Sequence, residues 1–406
     1  MAGRSRKQNA RALQEHIVAH HVGARGFSVA FNCPAQLRKH LIHVVYEADE
    51  QCAKEMIAQN KDENFHVLPY CLGQRKKPAR LFICKNPYAS SNLEPNPAYG
   101  GFYCEVHQDD LIDGIEVKGE CYDLDYGSEF SVVRVADVTV RTLDDVLDSG
   151  DVPSDWYPDF LSLDTQGSEL AILHGGQRAF REHCLALATE VEFHQLYKNQ
   201  PLFPDIFQFA HRHGFHFAGF DTLWEFSSYR LPIGARDKGF TGFGDALFLR
   251  SIESVRDMAQ SEDERYLALF KLAFIALNFG YLEYAVQAAD VAETLAPAQS
   301  LRDRLAEQDC YKAVHALRAA VHELPPHYPH RQRTAMMDEL RAVLARAAER
   351  QNQTTDPASE AAESHLSPRT TAVEAVLEEY GFTWVADSVR RRRKSGEGSV
   401  AGKMHR

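Results

Sequence analysis

The hydrophobic and polar positions of the first 250 residues alternate in the order of an open α/β sheet. Apolar runs cover residues 16–22, 41–46 and 65–72, and a helical pattern covers residues 50–60. The first run stops at the glycine-containing turn 23–26, and the second ends at Glu47. This order of strand, glycine turn, helix, strand and acid predicts a doubly wound, Rossmann-like α/β fold.

The regular alternation is interrupted over residues 80–137. Asn-Pro, Pro-Asn-Pro and Gly-Gly signals there predict hairpins and loops inserted beside the sheet. Nine acids and a single lysine lie between Glu105 and Glu129. Such an acidic insertion is usually solvated surface, and a substrate lid is the less common alternative. Further strand and helix patterns follow from residue 138, and we expect the domain to end near Arg250.

Residues 251–350 carry helical patterns without strand signals. Gly280 to Ala285 and the small residues after them resemble a tetratricopeptide helix pair, in which small side chains let two helices approach closely. One such unit cannot bury its own apolar face, so we expect it to pack on the preceding domain, on a protein partner or on a second copy, through helices within 253–349. The remaining segments are predicted to be an N-terminal extension at 1–15, a polar linker at 351–371, and a short helix with a basic disordered tail at 372–406.

Composition and charge narrow the functional classes. The chain has 406 residues and a formal net charge of −12, which argues against nucleic acid as the partner of its body. No apolar run approaches the ~20 residues of a transmembrane helix, and the basic segment 1–11 lacks the apolar centre of a secretory signal. Eight cysteines occur without CxxC spacing, which favours buried reduced thiols. We therefore expect a cytoplasmic protein without a membrane span.

Two features of the first two strands predict a nucleoside cofactor. Glycines at 23 and 26 let the backbone of the first turn approach a ligand closely. Glu47, which lies 24 residues after Gly23, can accept hydrogen bonds from both hydroxyls of a ribose. These features do not distinguish NAD from S-adenosylmethionine.

Residues 159–169 resemble the signature strand and turn of the FkbM methyltransferase family, with the sequence Asp-Phe-Leu-Ser-Leu-Asp-Thr-Gln-Gly-Ser-Glu. Residues 140–145 and 190–203 resemble the segments on either side, and the similarity extends over about 16–250. The resemblance implies S-adenosylmethionine as the cofactor, bound by Gly23, Ala24, Arg25, Gly26, Glu47, Ala48 and Leu72. Two positions depart from the family pattern, since His21 and Ala48 stand where the family usually has Asp and Pro.

The resemblance also implies methyl transfer to a hydroxyl of a sugar, a glycolipid or a related metabolite. A hydroxyl acceptor must lose its proton, so a carboxylate or imidazole is needed within its reach. Asp164 ends a central strand, where open α/β sheets bind ligands, and Glu169 begins the next helix. Glu192 and His194 follow Glu190 on one face of the neighbouring strand, where carboxylates would be costly in a core. The predicted catalytic residues are therefore Asp164, Glu169, Glu192 and His194.

Other interpretations remain open. The substitutions at His21 and Ala48 are compatible with a catalytically inactive methyltransferase fold that acts as an interaction module. An NAD-dependent oxidoreductase fits less well, because the first turn lacks a full GxGxxG pattern. The acids near residues 164 and 190–194 could ligate a divalent metal, but their spacing does not require one, and we predict no metal site.

Overall fold

The computed structural model describes residues 13–23, 31, 33–106, 111–112, 115–116, 122–228, 239–322 and 370–383. Several predictions concern residues outside these ranges: Ala24, Arg25 and Gly26, the N-terminal residues 1–12, most of the linker, the basic tail and part of the acidic insertion. The chain divides into two compact units, Met1–Tyr311 and Lys312–Arg406. The first unit contains all the residues predicted to bind the cofactor or to act in catalysis.

The strands and helices follow one another along both units. The strands are β1 (Ile17–Val22), β2 (Leu41–Tyr46), β3 (Phe65–Leu68), β4 (Cys71–Leu72), β5 (Lys77–Cys84), β6 (Tyr103–Val106), β7 (Leu111–Ile112), β8 (Ile115–Glu116), β9 (Tyr122–Asp125), β10 (Val132–Arg141), β11 (Phe160–Leu163), β12 (Ala186–Glu192), β13 (Phe215–Ser227) and β14 (Phe240–Arg250). The helices are α1 (Glu50–Gln59), α2 (Tyr126–Glu129), α3 (Leu143–Ser149), α4 (Glu169–Gly175), α5 (Gln177–Glu182), α6 (Phe203–Arg212), α7 (Ile252–Met258), α8 (Glu262–Asn278), α9 (Leu282–Glu293), α10 (Gln299–Ala306), α11 (Asp309–His322) and α12 (Thr370–Glu379). Short 3₁₀ helices cover Ala35–His40, Pro87–Ala89 and Pro97–Tyr99.

The main sheet confirms the predicted doubly wound fold. Within the described residues its strand order is β3-β2-β1-β11-β12-β14-β13-β6-β9. The first five strands in this order are parallel, while β14 and β13 are antiparallel to their neighbours. Strand β1 lies between β2 and β11, so the chain leaves β1 toward one side of the sheet and later returns on the other. Open α/β sheets bind ligands at the carboxyl ends of the strands at such a switch point.

The central strands are held by apolar packing on the face covered by α3 to α6. All six residues of β1 are buried, as expected for a strand in the middle of a parallel sheet. Val22, Tyr46 and Leu163, from the ends of β1, β2 and β11, share one apolar cluster with Ile172 and Phe180 of the helices. This packing fixes the three strand ends relative to one another.

The prediction of one strand over residues 65–72 was wrong, because the segment forms β3 and β4 in two different sheets. Pro69 separates them and has no N–H to donate to a strand ladder. The carbonyl oxygen of Leu68 instead accepts from the N–H of Glu47 at 3.1 Å and from that of Tyr70 at 2.9 Å. The chain therefore turns out of the main sheet at this point.

The insertion at 80–137 contributes to both sheets instead of lying only beside the main one. Strand β10 pairs antiparallel with β5 and parallel with β4 in a small three-stranded sheet. Strands β6 and β9 extend the main sheet beyond β13. The segment between β5 and β6 lies at the carboxyl ends of the central strands, where its residues line a cleft together with the ends of β1 and β2.

The helix pair α8–α9 packs on the domain that precedes it, one of the arrangements that the sequence analysis considers. Helix α8 contacts both α9 and β14. Lys271 Nζ of α8 donates to Asp159 Oδ2 at 2.7 Å, just before β11, and Tyr284 Oη of α9 donates to the Arg250 carbonyl oxygen at 2.6 Å. Among the described helices, none combines the length and apolar character needed to cross a bilayer.

Candidate active site

A cleft opens at the carboxyl ends of β1, β2 and β11, where the topology predicts a ligand. It has an empty volume of about 640 Å³, open solvent included. The residues that line it come from the strand ends, from the turn after β11 and from the insertion: Val22, Gly23, Tyr46, Glu47, Ala48, Tyr70, Cys71, Leu72, Leu81, Pro87, Tyr88, Ser90, Ser91, Asn92, Asp164, Thr165, Gln166 and Ser168.

Gly23 allows β1 and β11 to approach each other at the cleft. Its φ is +86°, and its N–H donates to the Tyr46 carbonyl oxygen at 3.0 Å. A Cβ at this position would lie 1.8 Å from the carbonyl oxygen of Asp164. The position therefore requires glycine for both conformation and space.

Glu47 stands at the end of β2 and is 5% exposed. Its Oε1 accepts from the N–H of Asp49 at 2.7 Å. Asp49 in turn caps α1 through the N–H of Gln51 and pairs with Arg134 at 2.9 Å. The Glu47 carboxylate is thus fixed at the wall of the cleft.

The carboxylate of Glu169 stabilises the turn after β11 through hydrogen bonds. Gln166 and Gly167 have positive φ, at 59° and 103°, which identifies a tight left-handed turn. Glu169 Oε1 accepts from the Thr165 N–H and hydroxyl, both at 2.8 Å, and from the Gly167 N–H at 3.2 Å. Glu169 is 2% exposed, so the structure places it beneath the turn, where it stabilises the backbone that carries Asp164.

Four carboxyl groups from adjacent strand ends, which we name the acid cluster, lie next to this turn: Asp164, Glu190, Glu192 and Asp245. Gln166 Nε2 donates to Asp164 Oδ1 at 2.9 Å and to Glu190 Oε2 at 2.5 Å. One amide therefore bridges carboxylates from β11 and β12. Asp245, opposite Glu190 in the ladder, accepts from the Thr222 hydroxyl.

Burial and like charge raise the pKa values in the acid cluster. For Asp164, desolvation by the surrounding protein raises the pKa, and the carboxylates of Asp245 and Glu169 add to the effect. Asp164 is, however, exposed to the cleft, and the solvent that reaches it there moderates this rise. Burial also raises the pKa of Glu190 and of Glu192, with further contributions from the neighbouring acids. These shifts favour the protonated forms of the cluster more than in an exposed carboxyl group.

Comparison with known proteins identifies the family. Residues 16–217 match the family model described as the methyltransferase FkbM domain. Residues 16–217 are an FkbM methyltransferase domain. The match runs from β1 to the start of β13 and includes Gly23, Glu47 and Asp164, while β14 lies beyond it. The family assigns this domain to the methyltransferases.

A solved structure with detectable similarity is the methyltransferase FkbM from Methylobacillus flagellatus KT, at 15% sequence identity and a TM-score of 0.27. The similar region covers 57% of this chain and 44% of that one, so the chain spans less than half of that protein's length. No curated protein matches the chain.

The FkbM domain brings Gly23, Glu47, Ala48, Leu72 and Asp164 together around one cleft. The other residues predicted to be catalytic lie elsewhere. Glu192 is 2% exposed in the acid cluster, behind the cleft wall, and Glu169 lies beneath the turn.

His194 follows the end of β12 and packs among aromatic rings. Its ring centroid lies 6.0 Å from that of Tyr99 and 5.0 Å from that of Phe226. We predicted that residues 190, 192 and 194 share one face of a strand. Because β12 ends at Glu192, the strand alternation no longer determines the direction of His194.

Several polar residues of the cleft were not predicted from the sequence. Ser91 lines the cleft from the insertion, and its hydroxyl donates to the Gln166 carbonyl oxygen at 2.8 Å. The Tyr197 hydroxyl donates to Gln166 Oε1 at 3.2 Å and to the Ala89 carbonyl oxygen at 2.7 Å. Gln166 itself lies within the signature and could have been noted as a polar turn residue. Ser91 carries no local signal, and Tyr197 lies in the resembling segment 190–203 without a role that the sequence assigns to it. Both reach the turn from distant parts of the chain.

The described residues contain no group of three His, Cys, Asp or Glu side chains arranged to hold a metal ion. The contacts recorded in the acid cluster come from amides and hydroxyls.

Proposed function

We propose that the FkbM domain is an S-adenosylmethionine-dependent O-methyltransferase that acts on a hydroxyl of a sugar, a glycolipid or a related metabolite. The observation that supports this most strongly is that Gly23, Glu47 and Asp164 meet in one cleft at the switch point of the sheet. These are the residues to which the family resemblance gives cofactor binding and catalysis.

The cleft suits S-adenosylmethionine in the groups that it offers to the cofactor. Glu47 offers carboxylate oxygens at the end of β2, where two ribose hydroxyls can donate to them. Gly23 keeps side-chain atoms away from the backbone at the end of β1, and Ala48 and Leu72 line the same wall. When bound, this cofactor supplies an electrophilic methyl group.

Asp164 is suited to remove the acceptor's proton. It lies at the cleft, and its raised pKa makes it a stronger base near neutral pH than an ordinary aspartate. Gln166 holds one carboxylate oxygen, and Glu169 fixes the turn from below. Asp164 is thus positioned before the acceptor binds, which favours transfer by orientation.

The opposite wall of the cleft suits a hydroxyl compound. Ser90, Ser91 and Asn92 line it. The Asn92 Oδ1 atom is buried and accepts no hydrogen bond from any described residue. A buried acceptor without a partner is costly, so a donor hydroxyl from a ligand would satisfy it. This supports a ligand that carries hydrogen-bond donors, as a polyhydroxylated substrate does.

The alternative is an inactive methyltransferase fold that acts as an interaction module, with the tetratricopeptide-like helices binding a protein partner or a second copy. The position of His21 weakens its main support. His21 is 1% exposed, and its Nε2 lies 3.0 Å from His43 Nδ1, within the sheet. Its replacement of the usual Asp therefore leaves the lining of the cleft unchanged.

Calorimetry with S-adenosylmethionine and the full chain tests the proposal. We expect saturable binding, weakened about 10- to 100-fold in Glu47→Gln, because that change removes a charged hydrogen-bond acceptor. Glu50→Gln is the matched control, since Glu50 begins α1 three residues later and its carboxylate is 76% exposed. A folded protein that does not bind S-adenosylmethionine would contradict the proposal and favour the interaction module.

A further inference from the structure

A second groove opens beside the acid cluster. It has an empty volume of about 610 Å³, and its walls are mainly aromatic rings and prolines: Pro95, Pro97, Tyr99, Tyr126, Phe130 and Leu196. Most of these residues belong to the insertion between β5 and β10. The methyl transfer derived above makes no use of this groove.

The rings of the groove are held rigidly by their neighbours. The Tyr126 and Phe130 centroids lie 4.9 Å apart, and Tyr126 lies 5.9 Å from Phe226. On the other wall, Tyr99 lies 5.0 Å from Phe102 and 6.2 Å from Phe226. These separations are those of aromatic pairs in a packed cluster. The groove therefore offers preformed ring faces to a ligand.

The Tyr126 hydroxyl is the polar feature of the groove that points to a ligand. Tyr126 is 3% exposed, and its hydroxyl has no hydrogen-bond partner among the described residues. Burial raises the pKa of Tyr126, as do the nearby Cys104, Glu190 and Glu192. Tyr126 is also one of the residues that line the groove. A buried hydroxyl without a partner costs free energy, and a polar ligand would recover it.

The groove is connected to the proposed catalytic base through three contacts. Phe130 packs on Tyr197 at 5.4 Å between centroids. The Tyr197 hydroxyl donates to Gln166 Oε1 at 3.2 Å, and Gln166 Nε2 donates to Asp164 Oδ1 at 2.9 Å. The groove and the cleft are therefore neighbouring parts of one region at the carboxyl ends of the strands.

We propose that this groove is a second subsite for the methyl acceptor and binds a neutral sugar ring. The inference rests on the proposed function, because it concerns the acceptor of the same reaction. Ring faces of Tyr99 and Phe130 suit the C–H face of a sugar, and the Tyr126 hydroxyl suits one of its hydroxyls. Whatever part of the Glu190 and Glu192 carboxyl groups is ionised disfavours an anionic ligand, which favours a neutral saccharide over a uronate or a phosphate.

Ligand-observed NMR on the full chain, saturated with S-adenosylhomocysteine, tests this proposal. The probes are the neutral disaccharides cellobiose, maltose and diacetylchitobiose, together with cellobiuronic acid, which differs from cellobiose by one carboxylate. We expect at least one neutral disaccharide to bind and cellobiuronic acid to bind more weakly than cellobiose. Tyr126→Phe should weaken neutral binding about 3- to 10-fold, the effect of one neutral hydrogen bond.

Two further variants separate binding from folding. Tyr99→Ala should weaken saccharide binding about tenfold or more, because it removes a ring face. Tyr157→Phe, whose ring packs on His183 at 4.0 Å near the amino end of β11, should leave saccharide binding unchanged. S-adenosylhomocysteine affinity should be the same in all three variants.

The outcomes separate this proposal from the function on which it rests. If S-adenosylhomocysteine does not bind, the proposed function fails and the subsite fails with it. If S-adenosylhomocysteine binds but no neutral disaccharide does, the subsite is wrong and the methyltransferase stands. Equal saccharide binding by the wild type and Tyr126→Phe would also overturn the subsite.

Discussion

Buried charged side chains have different partners at the two ends of the central sheet. At the amino ends, each buried cation has defined partners. Lys271 Nζ donates to Asp159 Oδ2 at 2.7 Å, and that oxygen also accepts from a backbone N–H of β1 at 2.8 Å. Arg250 is 2% exposed and donates to the carbonyl oxygens of Cys184 and Phe180, both at 2.5 Å. Charge here stabilises the attachment of α7 and α8 to the sheet.

At the carboxyl ends, carboxylates from β12, β14 and the turn after β11 crowd together. An amide and a hydroxyl, from Gln166 and Thr222, contact them. Like charges held close in a desolvated region reduce stability. Such arrangements persist mainly where they serve binding or catalysis. The contrast therefore distinguishes a structural end of the sheet from the end to which we assign the proposed function.

The largest expected effect is a loss of stability caused by a substitution at the amino ends of the strands. Lys271→Met should lower the free energy of unfolding by about 3–5 kcal/mol, because it leaves Asp159 as a buried charge without its lysine. Urea unfolding measures the loss. Lys39→Met is the matched control: Lys39 pairs with Asp309 at 2.7 Å, but its side chain is 64% exposed. Such a surface pair contributes about 0–1 kcal/mol. Equal losses in the two variants would remove the distinction between the two ends.

The next effect concerns the cleft. Gly23→Ala places a Cβ against the Asp164 carbonyl oxygen, so the ends of β1 and β11 must move apart. We expect this displacement of the strand ends to lower the affinity for S-adenosylmethionine about 100-fold, as measured by calorimetry. Gly150→Ala is the control, because Gly150 also has a positive φ, of +83°, but nothing lies within 4 Å of its Cβ position. If the two variants bind the cofactor equally well, the close approach at Gly23 is not required for the site.

Local patterns predicted the fold and the strand ends, because buried parallel strands and their terminal residues are marked in sequence by apolar runs followed by Gly or acid. Gly23, Glu47 and Asp164 were found in this way. The pattern could not show that Glu169 turns toward the backbone of its own turn, since an acid at a helix start can face either a ligand or nearby N–H groups.

Local sequence patterns also could not predict the contacts that the insertion makes. Tyr197 reaches the carbonyl oxygen of Ala89, 108 residues away, and Tyr126 lies beside acids of β12. No hydrophobic period relates positions so far apart in the chain. The strand break at Pro69 is different, because the missing N–H of proline is visible in the sequence.

The smallest expected effect is on the pH dependence of the unfolding free energy, to which the acid cluster contributes. Burial and the neighbouring carboxylates raise the pKa of Glu190 above its value of about 4.3 in an unfolded chain. The folded protein therefore holds this proton to higher pH, and the contribution of Glu190 to stability falls as pH rises from about 4.3 through the raised pKa. Desolvation lowers the pKa of buried His20 and of half-buried His43 to about 4, and these two residues act in the opposite direction below about pH 6.5. The wild-type profile alone is therefore not diagnostic.

Comparing Glu190→Gln with the wild type isolates the contribution of this carboxyl group. The difference in unfolding free energy should grow in favour of the variant between pH 4 and 8, by at most about 1.4 kcal/mol per pH unit. Glu55→Gln, at an exposed position of α1, should give a flat difference because water hydrates that carboxylate in both states. A flat difference for Glu190→Gln as well would mean that solvent or a counter-charge relieves the acid cluster. The carboxyl ends of the strands would then be no more strained than the amino ends, and the raised basicity proposed for Asp164 would lose its physical cause.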